Sequence, residues 1–290
     1  MADVILLDGG MGQELVTRAP EAPTPLWGTK AMLDHPGMVR AVHEDYAAAG
    51  ATVATTNTYA LHRDRFEGTG LEGDFERLFD LALGEAEGIG AKKIAGSIGP
   101  LVRSYAPGTH PDHDVAVPLY AENARLLKDR VDFLICETIA SVAHAKAALE
   151  GARSAGLPVW MAVTVDDEDG SILRSGEPVI DLAGLEADAW LANCSAPEVM
   201  GDALEVLKTF GRPFGAYANG FVEITKSYMS DKPTVDKLSS RRDLGPEAYA
   251  EFALSWVEQG ATIVGGCCEV GPAHIRLLAE RLQQAGHQIV

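Results

Sequence analysis

Long apolar runs are missing from this 290-residue sequence: none approaches the roughly 20 residues that a membrane-spanning helix needs. The start Met1-Ala2-Asp3 lacks the basic stretch of a secretory leader and leads directly into a strand-like segment. A cytoplasmic protein with no membrane contact is therefore expected. Cysteine is scarce, with four residues, two of them adjacent, which does not resemble the dense even framework of a disulfide-stapled secreted domain. Basic residues are few as well, 24 Lys plus Arg against 42 Asp plus Glu, and the formal charge of −18 opposes binding to nucleic acid or to anionic lipid. The same charge mildly favours a cationic small molecule, although an acidic solvated surface that maintains solubility is the more ordinary explanation. Low-complexity tracts are absent, which excludes a disordered scaffold.

Eight short aliphatic segments are present instead, each ending in glycine, polar residues or cysteine. They are Val4–Asp8, Thr52–Asn57, Lys93–Ser97, Phe133–Glu137, Val159–Val165, Ala189–Cys194, Phe214–Ala218 and Thr262–Cys267. Unbroken aliphatic character is expected of strands buried on both faces. Helical patterns fall between them at Pro36–Ala49, Leu71–Gly88, Pro118–Lys128, Val142–Ala155, Pro197–Phe210, Pro246–Gln259 and Pro272–Ala285. Many have proline at or near the start and glycine after the end, the punctuation of helix termini. The stretch Pro178–Glu186, before the sixth strand, is the shortest and weakest. Eight βα repeats predict an α/β fold, a (β/α)8 TIM barrel forming one domain over residues 1–290. The alternative, an open doubly wound sheet, wants G-x-G-x-x-G after its first strand, and Asp8-Gly9-Gly10-Met11-Gly12 does not supply it.

A barrel gathers its chemistry at the carboxyl ends of its strands. Those ends carry Asp8-Gly9-Gly10, Thr55-Thr56-Asn57-Thr58, Cys136-Glu137-Thr138, Asn193-Cys194-Ser195 and Gly266-Cys267-Cys268. Cys194, Cys267 and Cys268 could thus converge at one mouth. Three thiolates and one exchangeable position describe an open tetrahedral zinc site. Zinc at such a site would hold an incoming thiol as a thiolate, the form that attacks a methyl carbon. Two other readings of the adjacent pair stay open, plain core packing and a strained vicinal disulfide. Cys136 reads as strand core. Glu137, costly to bury unpaired, should face the mouth and could hold a substrate ammonium, or else sit in a structural ion pair. Asp8, Gly9 and Gly10 could offer backbone amides to a carboxylate or simply form a tight turn. Trp27, in the loop after the first strand, could present its indole face to an onium donor or pack on the rim. His110-Pro111-Asp112-His113 is a weak candidate for a second metal.

Taken together, Leu7-Asp8-Gly9-Gly10-Met11-Gly12, Leu26-Trp27 with His35-Pro36, Thr56-Asn57-Thr58-Tyr59, Gly96-Ser97-Ile98-Gly99-Pro100, Cys136-Glu137-Thr138, Asn193-Cys194 and Gly265-Gly266-Cys267-Cys268 with Pro272 and His274-Ile275 resemble the homocysteine S-methyltransferase family over nearly the whole chain. That family includes betaine–homocysteine methyltransferase and the homocysteine domain of cobalamin-dependent methionine synthase. The resemblance implies Zn2+ on Cys194, Cys267 and Cys268. It implies homocysteine near Asp8, Gly9 and Thr56, with its amino group on Glu137, and Trp27 facing the methyl donor. The implied reaction is in-line transfer of a methyl group from a small sulfonium or ammonium donor, such as S-methylmethionine or betaine, to homocysteine, giving methionine. A folate or cobalamin donor fits less well, since relatives using those carry further domains. The alternatives are methylation of another thiol or selenol such as selenocysteine, a zinc- or onium-binding barrel without turnover, and a dithiol redox protein built on Cys267 and Cys268. The sequence departs from its relatives at Glu269-Val270-Gly271, where arginine or glycine and then threonine-rich sequence is usual. It departs again over Asn219–Asp243, with Lys226, Tyr228, Lys232 and Lys237, so the donor stays undetermined. Oligomeric state is not legible.

Overall fold

The structure, a computed structural model, describes residues 2–21, 26–222 and 238–290. Nine strands form one parallel sheet: β1 (Asp3–Leu6), β2 (Val53–Thr55), β3 (Lys93–Ile98), β4 (Phe133–Ile139), β5 (Val159–Val163), β6 (Ala189–Asn193), β7 (Phe214–Tyr217), β8 (Ile263–Val264) and β9 (Gln288–Ile289). Their order is β2-β3-β4-β5-β6-β7-β8-β1-β9. All eight expected strands are present, with boundaries shifted by a few residues. The sheet curls until β1 meets β2: Thr52 N–H donates to Leu6 O at 2.8 Å, and Thr55 N–H donates to the Asp8 carboxylate at 2.6 Å. Strand β9 pairs with the start of β1, Asp3 opposite Gln288 and Val4 opposite Ile289. The carbonyls of Val4 and Leu6 point to the same side of β1, so β9 fills the seam between β1 and β2 below their contact.

The helices are α1 (Met11–Arg18), α2 (Trp27–Asp34), α3 (Met38–Ala48), α4 (Arg63–Phe66), α5 (Phe75–Ala86), α6 (His113–Leu127), α7 (Val142–Arg153), α8 (Met200–Leu207), α9 (Pro246–Glu258) and α10 (Pro272–Gln284). No described helix is long and apolar enough to cross a membrane. The helices differ from the expected pattern at several points. Helix α6 begins at His113, so Pro118 lies inside it rather than at its start; the carbonyl left without an amide partner belongs to exposed Asp114, where solvent can satisfy it. Trp27 opens α2 instead of lying in a loop; its side chain is outside the described residues. Between β5 and β6 the connection holds only a 3-10 turn, Val179–Leu182.

Side chains alternate along each strand, and the alternation decides what reaches the barrel interior. Phe133, Ile135, Ala95, Ala189, Leu191, Ala162 and Tyr217 share the inner core, while Leu134, Cys136, Met161, Trp190 and Ala192 pack outward against helices. Glu137 and Asn193 continue the inward phase of β4 and β6, and Ser97 continues that of β3. Cys136 is out of phase and buried under α7, its sulfur 3.8 Å from Ala148 O. The expectation that it belongs to the strand core therefore holds.

Candidate active site

The three other cysteines meet at the carboxyl ends of β6 and β8. Cys194 follows β6 with φ 53°, a left-handed conformation that is uncommon outside glycine. The segment after β8 is fixed by backbone bonds: Gly266 N–H to Asp8 O, Cys267 N–H to Ala218 O and Gly220 N–H to Cys268 O, each 2.9 Å. The Tyr249 hydroxyl, fully buried, donates to Gly265 O at 2.7 Å and accepts from Ala218 N–H at 3.0 Å. Glycine is required here by space. A Cβ on Gly10 would lie 2.7 Å from Cys267 O, and one on Gly266 would lie 2.1 Å from Val270 Cγ1.

The three sulfurs lie within 4.8 Å of one another, and among the described residues they are the only such cluster of metal-ligating side chains. Cys194 and Cys268 are 3.9 Å apart, whereas the sulfurs of Cys194 and Cys267 are in disulfide contact with their Cα atoms 5.7 Å apart. A tetrahedral ion with metal–sulfur bonds of about 2.3 Å would set its ligands about 3.8 Å apart, so the donor set fits with a modest opening between Cys194 and Cys267. Burial pushes the Cys268 thiol up to about 12. A divalent cation reverses that cost, because it compensates the charge of the thiolate it binds. The vicinal disulfide does not form: Cys267 faces Cys194, and Cys268 is free. The weak second-metal candidate fares no better. His113 pairs with Asp114 and Glu150 at the surface, while His110 stacks on Tyr120 and His144.

Glu137 reaches the cavity with only 8% of its surface exposed. One carboxylate oxygen accepts from Ser97 Oγ, and the other accepts from Tyr217 OH at 3.0 Å. Burial raises its pKa, and these two hydroxyls oppose that shift by favouring the charged form. Asp8 lies in the same cavity, but both of its oxygens are engaged by Thr55, through the backbone N–H at 2.6 Å and the hydroxyl at 2.7 Å. Burial carries its carboxyl up to about 7. Thr56 also lines the cavity, yet its hydroxyl is occupied: it accepts from Ser97 N–H at 3.1 Å and pairs with Thr58 Oγ1 at 2.7 Å. Thr138, with φ 59°, is held by Asn193, which accepts its N–H at 2.9 Å and donates to its hydroxyl at 3.2 Å.

The cavity thus brings together Cys194, Cys267, Cys268, Asp8, Gly9, Thr56 and Glu137 from five distant stretches of sequence. Its remaining walls include Gln13, Asn57, Tyr59, Ser104, Tyr105 and Tyr217, and among the described residues no lysine, arginine or histidine lines it. Sequence reasoning missed Tyr105, whose hydroxyl donates to Cys194 Sγ at 3.0 Å, and Tyr217 and Asn193 as supports of the Glu137 end. Glu269, next to the paired cysteines, sits at φ 66° and accepts from Gln13 Nε2 across the mouth. Lys226, Tyr228, Lys232 and Lys237 lie outside the described residues.

Comparison with known proteins accords with this geometry. The chain is 29% identical to homocysteine S-methyltransferase of Escherichia coli over 96% of its own length and 95% of that protein's. It is 24% identical to selenocysteine methyltransferase of Astragalus bisulcatus, over 93% and 90% of the two chains. The metallated crystal form of the homocysteine methyltransferase MmuM from Escherichia coli superposes with a TM-score of 0.79 at 26% identity, covering 96% of both chains. The family model described as homocysteine S-methyltransferase matches residues 5–282, and the chain belongs to that family.

Proposed function

We propose that this protein transfers a methyl group from a small onium donor to the sulfur of homocysteine, yielding methionine, with Zn2+ held by Cys194, Cys267 and Cys268. The observation that carries the reading is the convergence of three sulfurs in a cavity that also holds the Glu137 carboxylate and that, among the described residues, no cationic side chain lines. When bound, zinc supplies a Lewis acid that keeps the acceptor's sulfur deprotonated near neutral pH. The chain's own residues do the rest. Glu137 takes the substrate ammonium, its charged form already favoured by Ser97 and Tyr217. Asp8 fastens the ends of β1 and β2, and Gly9 and Gly10 let the turn after β1 pack directly on the backbone of Val270 and Cys267. Trp27 is assigned to the donor side on the resemblance alone. The acceptor's electron pair forms the new sulfur–carbon bond, and the donor heteroatom keeps the pair of the broken bond and loses its positive charge. No side chain need act as general base. The acidic surface charge and the Glu137 carboxylate favour a cationic donor, both as it enters and against polyanionic alternatives.

Reductively purified protein should contain about one zinc per chain, and Cys267→Ala should lose it. Metal-free protein with full activity refutes the assignment. Incubation of homocysteine with S-methylmethionine, betaine, dimethylsulfoniopropionate, S-adenosylmethionine or methylfolate should release methionine from an onium donor. The similarity to a selenocysteine methyltransferase supports a second reading, a selenol acceptor at the same three sulfurs. A higher kcat/KM for selenocysteine than for homocysteine would favour it.

A further inference from the structure

Metal ligands are oriented and tuned by what hydrogen-bonds to them, and neighbours of this kind matter almost as much as the ligands themselves. Cys194 has such a neighbour in Tyr105, a residue of the loop after β3. Tyr105 is 5% exposed, and its hydroxyl donates to Cys194 Sγ at 3.0 Å. Both residues adopt left-handed backbone conformations, φ 61° for Tyr105 and 53° for Cys194, so each end of this bond is held in an uncommon geometry. The Tyr105 ring is in turn capped by Arg174, whose guanidinium carbon lies 5.3 Å from the ring centroid. Arg174 is fixed there by Asp167 at 2.7 Å and by Thr164 Oγ1 at 3.2 Å. The same threonine hydroxyl lies 3.4 Å from Cys194 O and 3.1 Å from Ser195 Oγ. The segments after β3, β5 and β6 therefore meet around Cys194, Tyr105 at its sulfur and Thr164 at its carbonyl.

We infer that Tyr105 is a positioning residue for the metal ligand Cys194, its phenol orienting the sulfur and drawing negative charge from it. Arg174 strengthens that donor by placing a cation on the ring face. The hydrogen bond lowers the electron donation of Cys194 to the metal, which leaves more positive charge on the metal for the substrate sulfur. A phenol that merely filled space beside Cys194 would need neither the guanidinium on its face nor a hydroxyl aimed at the sulfur. This inference rests on the metal reading above.

The test uses the reduced full-length protein loaded with Zn2+ or Co2+. Tyr105→Phe should raise the zinc Kd about 10- to 100-fold in competition with a chromophoric chelator, the usual penalty for losing such a partner. In the cobalt form its sulfur-to-metal charge-transfer band should move to lower energy, because the sulfur lone pair is no longer stabilised. Arg174→Met, which leaves the phenol in place, should shift the band in the same direction by less. An unchanged band in Tyr105→Phe overturns the inference, whether or not affinity falls, since weaker binding alone marks a packing role. Wild-type protein that binds neither ion refutes the metal reading itself, whereas wild type that binds both beside an unaltered Tyr105→Phe refutes only the role of Tyr105.

Discussion

A carboxylate in the wall of a barrel must be supplied with hydrogen-bond donors before any substrate arrives, and Glu137 has two, Ser97 and Tyr217. Glu137→Gln keeps the shape and removes the charge that would meet an ammonium. It should lower kcat/KM for homocysteine by about 2–4 kcal/mol, roughly 30- to 1000-fold, with zinc content unaltered. Steady-state kinetics beside metal analysis checks both halves. Asp8 makes a prediction about stability. Its carboxyl titrates near 7 in the fold against an ordinary value of 3.8, so the folded metal-free protein binds the extra proton between those values. Stability therefore falls as pH rises through that window, by at most about 1.4 kcal/mol per pH unit. Buried His43 and His62, lowered to about 4 and about 3, act in the opposite direction. The difference between wild-type and Asp8→Asn denaturation curves isolates Asp8, and should slope between pH 4 and 7 and flatten above. Legibility at this scale follows distance. The cysteines and Glu137 announce themselves because thiols and an acid at the ends of aliphatic strands are chemically conspicuous. Tyr105 does not, because its partner Cys194 is 89 residues away and nothing in its own loop signals the bond.

Among elements, the segment after β8 depends most on its supports. Tyr249→Phe on α9 removes the donor to Gly265 O and the acceptor for Ala218 N–H, leaving both buried and unsatisfied. A loss of about 1–3 kcal/mol in stability is expected, with weaker metal retention, measurable by urea denaturation and chelator challenge. Strands were readable because burial on both faces makes them continuously aliphatic. Three short helices, α1, α2 and α4, were not: α1 contains glycine and polar residues and follows a glycine turn rather than a side-chain cap, and α4 is a single turn. Proline misled the start of α6 for a similar reason: as a start signal it competes with the option of lying inside a helix whose freed carbonyl is solvated.

For the molecule as a whole, the charge of −18 and the Glu137 carboxylate in the cavity should act together on a cationic donor. Raising ionic strength should increase the donor KM while leaving kcat nearly constant, because screening weakens attraction at a distance more than contact inside a buried site. A donor KM independent of salt would argue against electrostatic guidance. The barrel class followed from counting repeats, but its closure did not. The seam between β1 and β2 is made by Thr52, Thr55 and Asp8 and filled below by β9, two residues too short to stand out as a strand.

The fastening of Gly266 and Val270 to Asp8 and Gly10 has a consequence in time. It joins the last barrel strand to the first, so the three sulfurs cannot assemble until contacts between opposite ends of the chain have formed, and such contacts come late in folding. Zinc is then acquired by a finished barrel and takes no part in nucleating it. Adding zinc should leave the refolding rate unchanged while slowing unfolding, the signature of an interaction made after the transition state.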